Sequence, residues 1–198
     1  MLYLQIMITL PLPLPLPLPL PLSLELGGLQ PADAGVLFTA SALTIAAGQP
    51  LMRLSRLTAL SAPAAFAGGY LLMALGLAGY ALAYSLGTFI AATVVWSVGD
   101  LFLVGRAYAF VASLAPTGAR GRYLAVYGTS WGIGGILAPL AGTQLLEHVG
   151  TAGLWSGMAV VCLTLAALQP ALVRHADKDR EYGQPQPAPV ELRTDQGD

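Results

Sequence analysis

Charged residues in this chain fall into short clusters, and the stretches between them are long and uncharged. From Tyr123 to Leu146, 24 residues pass without an ionisable carboxylate or base. At about 1.5 Å per helical residue, that length crosses a hydrocarbon layer of roughly 30 Å. Residues 57–99 hold 43 uncharged positions, too many for one crossing and right for one span plus most of another, with the break at Tyr84, Ser85, Leu86 and Gly87. Applied along the chain, this pattern predicts six spans, at about residues 1–24, 34–52, 62–84, 86–110, 123–146 and 151–173. The expected fold class is all-α, a polytopic membrane helical bundle. Residues 174–198 carry ten charges and the run QPQPAP, so they are expected to form a disordered cytoplasmic tail.

Within the spans, small residues recur at helical spacing. Gly128, Gly132, Gly135, Pro139 and Gly142 follow one another at steps of four, three, four and three, which places them on one narrow stripe that Ala125 extends. Lipid offers little hydrophobic drive for helix association, so helices pair where small side chains let backbones approach. The stripe therefore predicts a groove for a neighbouring helix, with its partner expected elsewhere in the chain. Ala65, Gly69, Gly76, Gly79 and Ala83 form a second stripe on the third span.

Polar positions inside the spans are few. On the fourth, Thr93, Trp96, Ser97 and Asp100 project within about a 100° arc, a polar stripe that ends in a carboxylate. Intramembrane ionisable residues face a bundle interior or a watery cavity and are functional candidates. Two roles stay open for Asp100: a cavity carboxylate that binds a cation or takes up a proton, or a structural acid paired with Arg53 or Arg120. Arg106 is six residues on, about 9 Å along the axis and 240° around, so it is not an intrahelical partner.

The opening stretch is uncharged but lacks the basic start and small-residue cleavage site of a signal peptide. Pro11, Pro13, Pro15, Pro17, Pro19 and Pro21 alternate with leucine there. Each proline removes an amide donor and clashes with the preceding turn, so an extended conformation is expected and the first span should be the least helical.

Composition narrows the function classes. The 198 residues are 56% hydrophobic and 10% charged, with net charge -1 and no basic patch, which argues against nucleic acid. Cys162 is the single cysteine and has no internal disulfide partner, so it reads as a small buried hydrophobe. Glu147 and His148 are adjacent with no further ligands nearby and make a poor metal site. No nucleophile triad, phosphate loop or cysteine-histidine spacing occurs, so no enzyme, cofactor or metal is expected.

The sequence resembles a known family at several points. A proline-bearing turn with Arg120, Gly121 and Arg122, then a tyrosine-rich helix start and the GxGGxxxPxxG run from Gly132 to Gly142, is similar to the fifth span of a six-helix half in the major facilitator superfamily of secondary transporters. Tyr3 to Gln5, Thr9 to Leu12 and the later Gly28 to Phe38 resemble that family's seventh span and exit loop, with one Leu-Pro unit multiplied. Gly48, Arg53 and Arg56 match glycine and basic positions of its signature loop, but Met52 stands where an aspartate is usual, which favours a basic anchor over a charge relay.

The resemblance implies the carboxy-terminal half, spans seven to twelve, of a transporter that moves small solutes or drugs by alternating access, with proton-coupled efflux as one mode. The alternative is a truncated, non-transporting remnant or scaffold. Implied partners are the lipid bilayer, a small-molecule substrate, a proton, and the missing amino-terminal half or another chain supplying it. Candidate translocation or coupling residues are Asp100, Thr93, Trp96, Ser97, Tyr3 and Gln5; Gly48, Arg53, Arg56, Arg120 and Arg122 are candidates for the cytoplasmic loop and gate. Positive charges follow the second, fourth and sixth spans, whereas the opposite loops carry only Glu25, Asp33 and Glu147. Short positive loops stay cytoplasmic, so a multi-pass protein of the cell membrane with both termini inside is expected.

Overall fold

The computed structural model describes residues 19–26, 30–53, 60–115 and 118–183, and among them every regular element is helical. The helices are α1 (Pro19–Leu26), α2 (Ala34–Gly48), α3 (Ala62–Leu82), α4 (Leu86–Leu114) and α5 (Arg120–Gly183), with single 3-10 turns at Pro31–Asp33 and Pro50–Arg53. By length and apolar composition, three stretches are able to cross a membrane: Ala62–Leu82, Leu86–Ser113 and Ala141–Ala171. The 15-residue α2 is apolar but shorter.

The hairpin of α3 and α4 is the centre of the molecule. Ser61 precedes α3 in an extended conformation and Pro63 sits in the first turn, where a missing amide donor costs nothing. The predicted break before α4 is a capping box: the Ser85 hydroxyl accepts from the Thr88 amide, and the Thr88 hydroxyl accepts from the Ser85 amide. Between the ends, the backbones meet at glycines. A Cβ built on Gly76 would lie 2.6 Å from the Trp96 Cβ and 2.7 Å from its backbone nitrogen. One built on Gly99 would lie 2.7 Å from the Gly69 carbonyl oxygen. Gly79 faces Ala92 in the same way. The second small-residue stripe is thus a true helix contact. Phe66 meets Phe110 edge-on at 5.7 Å near the open end.

Helix α5 keeps helical backbone dihedrals except at Gly150, whose φ of 70° and ψ of -179° suit glycine alone. A straight helix would hold Tyr127 and Cys162 about 50 Å apart, yet both lie within electrostatic reach of the Tyr70 hydroxyl. The chain therefore folds back at Gly150 into a first arm, residues 120–149, and a second arm, residues 151–183. The second arm buries Trp155, Cys162 and Gln169, each seven residues apart on one face, and Trp155 packs on Tyr80 of α3 with ring centroids 5.0 Å apart.

Several boundaries differ from the sequence expectation. The turn expected over Glu147–Gly150 is made by Gly150 alone, and His148 stays helical with its Nδ1 2.7 Å from the Gln144 carbonyl. The tail expected from residue 174 begins as helix and runs so to Gly183, because nothing in 174–183 breaks the hydrogen-bond ladder. In the Leu-Pro tract, Pro19 and Pro21 occupy the first turn of α1, the one place where proline is compatible with a helix. The rest of that tract lies outside the described residues.

Candidate functional site

The polar stripe of α4 is buried, and most of it is engaged between helices. Thr93 is fully buried; its hydroxyl donates to the Phe89 carbonyl at 2.8 Å. A hydroxyl has one proton, so the Tyr80 hydroxyl of α3, 2.8 Å away, is the donor to Thr93. Ser97, also fully buried, donates to the Ser41 hydroxyl of α2 at 2.8 Å. Trp96 rests its backbone on Gly76 and is buried to 3% exposure, with its indole N–H unpartnered. The stripe therefore knits α4 to both of its neighbours.

Asp100 completes the arc and is half-buried. Among the described residues it makes no hydrogen bond or ion pair. Arg106, the next cation along α4, donates from Nη1 to the Leu60 carbonyl at 3.0 Å, which ties the start of α3 to α4. Gly48, read from sequence as part of a loop, is the last residue of α2 and presses on α4: a Cβ there would meet Leu101 Cδ2 at 2.5 Å. Arg53 ends the following 3-10 turn, and Arg120 and Arg122 are exposed in the first turn of α5. Tyr3, Gln5 and Arg56 lie outside the described residues.

The glycine run of the first arm behaves differently. Gly128, Gly132 and Gly135 are exposed, and a Cβ at any of them would meet nothing within 4 Å among the described residues. Gly142 is buried, and Pro139 continues the helix. Among the described residues no partner lies against its three central glycines, and the arm turns its aromatic face inward. Tyr127 is fully buried and meets Tyr108 of α4 edge-on at 4.9 Å.

Two residues of the site were not singled out from sequence. Tyr80 and Ser41 sit in apolar runs where nothing but their polarity distinguishes them, and helical projection of α2 and α3 against an assumed neighbour was the one route to them. A shallow groove of about 470 Å³ lies along Gly35, Val36, Thr39 and Leu43, on the face of α2 turned away from Ser41.

Comparison with known proteins agrees with the membrane architecture. The family model described as Major Facilitator Superfamily matches residues 5–194. The chain is also similar to the uncharacterized MFS-type transporter YhjO of Bacillus subtilis (strain 168), 34% identical over 95 residues. That alignment covers 48% of this chain and 24% of the relative, so the matched part spans about a quarter of the relative's length.

Proposed function

Because this chain belongs to the Major Facilitator Superfamily and is a membrane protein by its apolar helices, we propose that it is the six-span carboxy-terminal half of a secondary transporter that moves a small molecule by alternating access. The observation that carries this reading is the family match over nearly the whole chain. The similarity to part of a longer MFS-type transporter supports a half rather than a whole. Counting the two arms of α5 separately, α2 and the four helical stretches after it make up five of the six proposed crossings, and the first, at about residues 1–24, lies largely outside the described residues. Transport in this family requires two halves rocking about a site near the midplane. In this reading α4 carries the site: Asp100 provides the charge, while Thr93, Trp96 and Ser97 hold α4 in register with α2 and α3. Proton-coupled efflux is the mode proposed, with both termini cytoplasmic in the cell membrane.

The test is reconstitution into liposomes with an imposed proton gradient, using the chain alone and the chain joined to the amino-terminal six spans of a related transporter. Flux of a substrate of that relative is expected from the joined protein alone, and it should fall when Asp100 becomes Asn. Flux by the chain alone would contradict the reading as a half. Orientation is read separately: cysteine at Ser85 should be labelled from outside and cysteine at Ser55 should not.

A further inference from the structure

Inside the bundle lies a cluster of polar side chains that the α2–α4 and α3–α4 hydrogen bonds do not use. On α4, Trp96 rests on Gly76 of α3, and Ser97 bonds to Ser41 of α2. Asp100 projects between them, about 40° from Trp96 and 60° from Ser97, so its carboxylate is directed between α2 and α3 and into the bundle. Its half-burial agrees. Tyr127 enters the same interior from the first arm of α5. It is fully buried, and its ring meets Tyr108 of α4 edge-on at 4.9 Å. Its hydroxyl lies within electrostatic reach of Asp100 and of Tyr70 on α3, and Tyr70 in turn within reach of Cys162 on the second arm. Among the described residues Tyr127 is the first arm's one side chain with 0% exposure, whereas Gly128, Gly132 and Gly135 on the arm's other side meet nothing. The arm pivots on Gly150, where helical geometry is interrupted.

We propose that Tyr127 is a positioning residue through which the charge on Asp100 sets how the first arm of α5 sits against α3 and α4. An ionised carboxylate in an apolar interior attracts the positive hydrogen ends of nearby phenol dipoles, because little solvent screens its field. A protonated one exerts no such pull. The field acts through the low-dielectric space between the two groups, so no contact between Asp100 and Tyr127 is required. The other titratable members of the cluster are Tyr70, Tyr108 and Cys162. Helix α2 carries none, and Arg106, the nearest cation on α4, donates to the Leu60 carbonyl. Phenols and thiols ordinarily ionise in the alkaline range, so Asp100 is the member that changes charge on acidification. Uptake of a proton there relaxes the hold on Tyr127 and shifts the arm, which carries the open glycine stripe with it. The inference deepens, and rests on, the reading of Asp100 as the charge of the site.

Pulsed electron paramagnetic resonance on the purified chain in detergent tests this without any transport. Nitroxide labels go on Val94→Cys of α4 and Ala125→Cys of the first arm, both exposed positions, with the buried Cys162 left in place. The distance between the labels is expected to shift as the pH goes from mildly acidic to mildly alkaline. Asp100→Asn should hold the acidic distance at both ends of that range. Tyr127→Phe keeps the ring against Tyr108 and removes the hydroxyl, and it should lose most of the shift, while Tyr108→Phe should keep it. Tyr127→Leu, read in the same way, replaces Tyr127→Phe if circular dichroism shows that the latter fails to fold. A role in packing alone would leave the shift unchanged in the folded Tyr127 variant, and that result would overturn the inference. A wild-type distance that ignores pH, or a shift that persists in Asp100→Asn, would do the same. Because distance and flux are read separately, a shift that depends on Tyr127 with no flux from the joined protein would remove the transport reading and leave this inference standing.

Discussion

Gly76 on α3 and Gly132 on the first arm of α5 lie on stripes that look alike in sequence, glycines and alanines at steps of three, four or seven on an otherwise bulky helix. Their surroundings are opposite. Gly76 has a neighbouring backbone inside the space a side chain would take, whereas Gly132 has nothing within 4 Å of that space among the described residues. In lipid a small-residue face contributes only when a second backbone comes to it, since there is no water for it to escape. The α3–α4 stripe is a finished interface, and the stripe of the first arm is unfilled among the described residues. A stripe reports that a close approach is possible, and only the partner's presence decides whether it stabilises the chain that carries it.

The largest effect that separates the two regions belongs to Gly76→Leu. The clashes are with Trp96 backbone and Cβ atoms, which cannot swing aside, so the helices must separate and Tyr80 must leave Thr93. A loss of about 1–3 kcal/mol or more is expected, measured by denaturant unfolding in detergent followed by tryptophan fluorescence. Gly150→Ala comes next, because its backbone region is nearly closed to other residues and the strain is of order 1–3 kcal/mol. It acts on the fold-back between the arms, so proteolysis near residue 150 should rise while the α3–α4 pair stays protected.

Removing the interhelical hydrogen bonds should cost less. Thr93→Val deletes the acceptor for Tyr80, and a membrane hydrogen bond of this kind averages about 0.6 kcal/mol. An equal loss in Thr93→Val and Gly76→Leu would mean that the hydroxyls, not the glycines, hold α3 to α4. Gly132→Leu should be the mildest, within about 0.5 kcal/mol in the isolated chain, as for a surface substitution. A larger loss would place a partner for that stripe within this chain.

Sequence patterning revealed the α3–α4 hairpin most fully, because two uncharged runs joined at Tyr84–Gly87 leave few other arrangements, and the serine–threonine cap sits where the run breaks. It also identified the buried arc of α4. It did not separate Gly48 from its loop, since a glycine beside a basic turn serves a bend and a close contact equally well, and only the position of Leu101 distinguishes them. Ser41 escaped for the same reason: a lone serine in an apolar helix acquires meaning from the residue opposite. The two glycine stripes were indistinguishable because sequence records a helix's own surface and not what lies against it.

The measurement that bears most directly on this contrast is the affinity of the purified chain for a separately expressed amino-terminal six-span half, compared between wild type and Gly132→Leu. If the open stripe of the first arm is the seat of that partner, Gly132→Leu should weaken association by at least about tenfold, which corresponds to 1.4 kcal/mol, while its unfolding curve overlays that of the wild type. Association equal to wild type in Gly132→Leu would contradict the account.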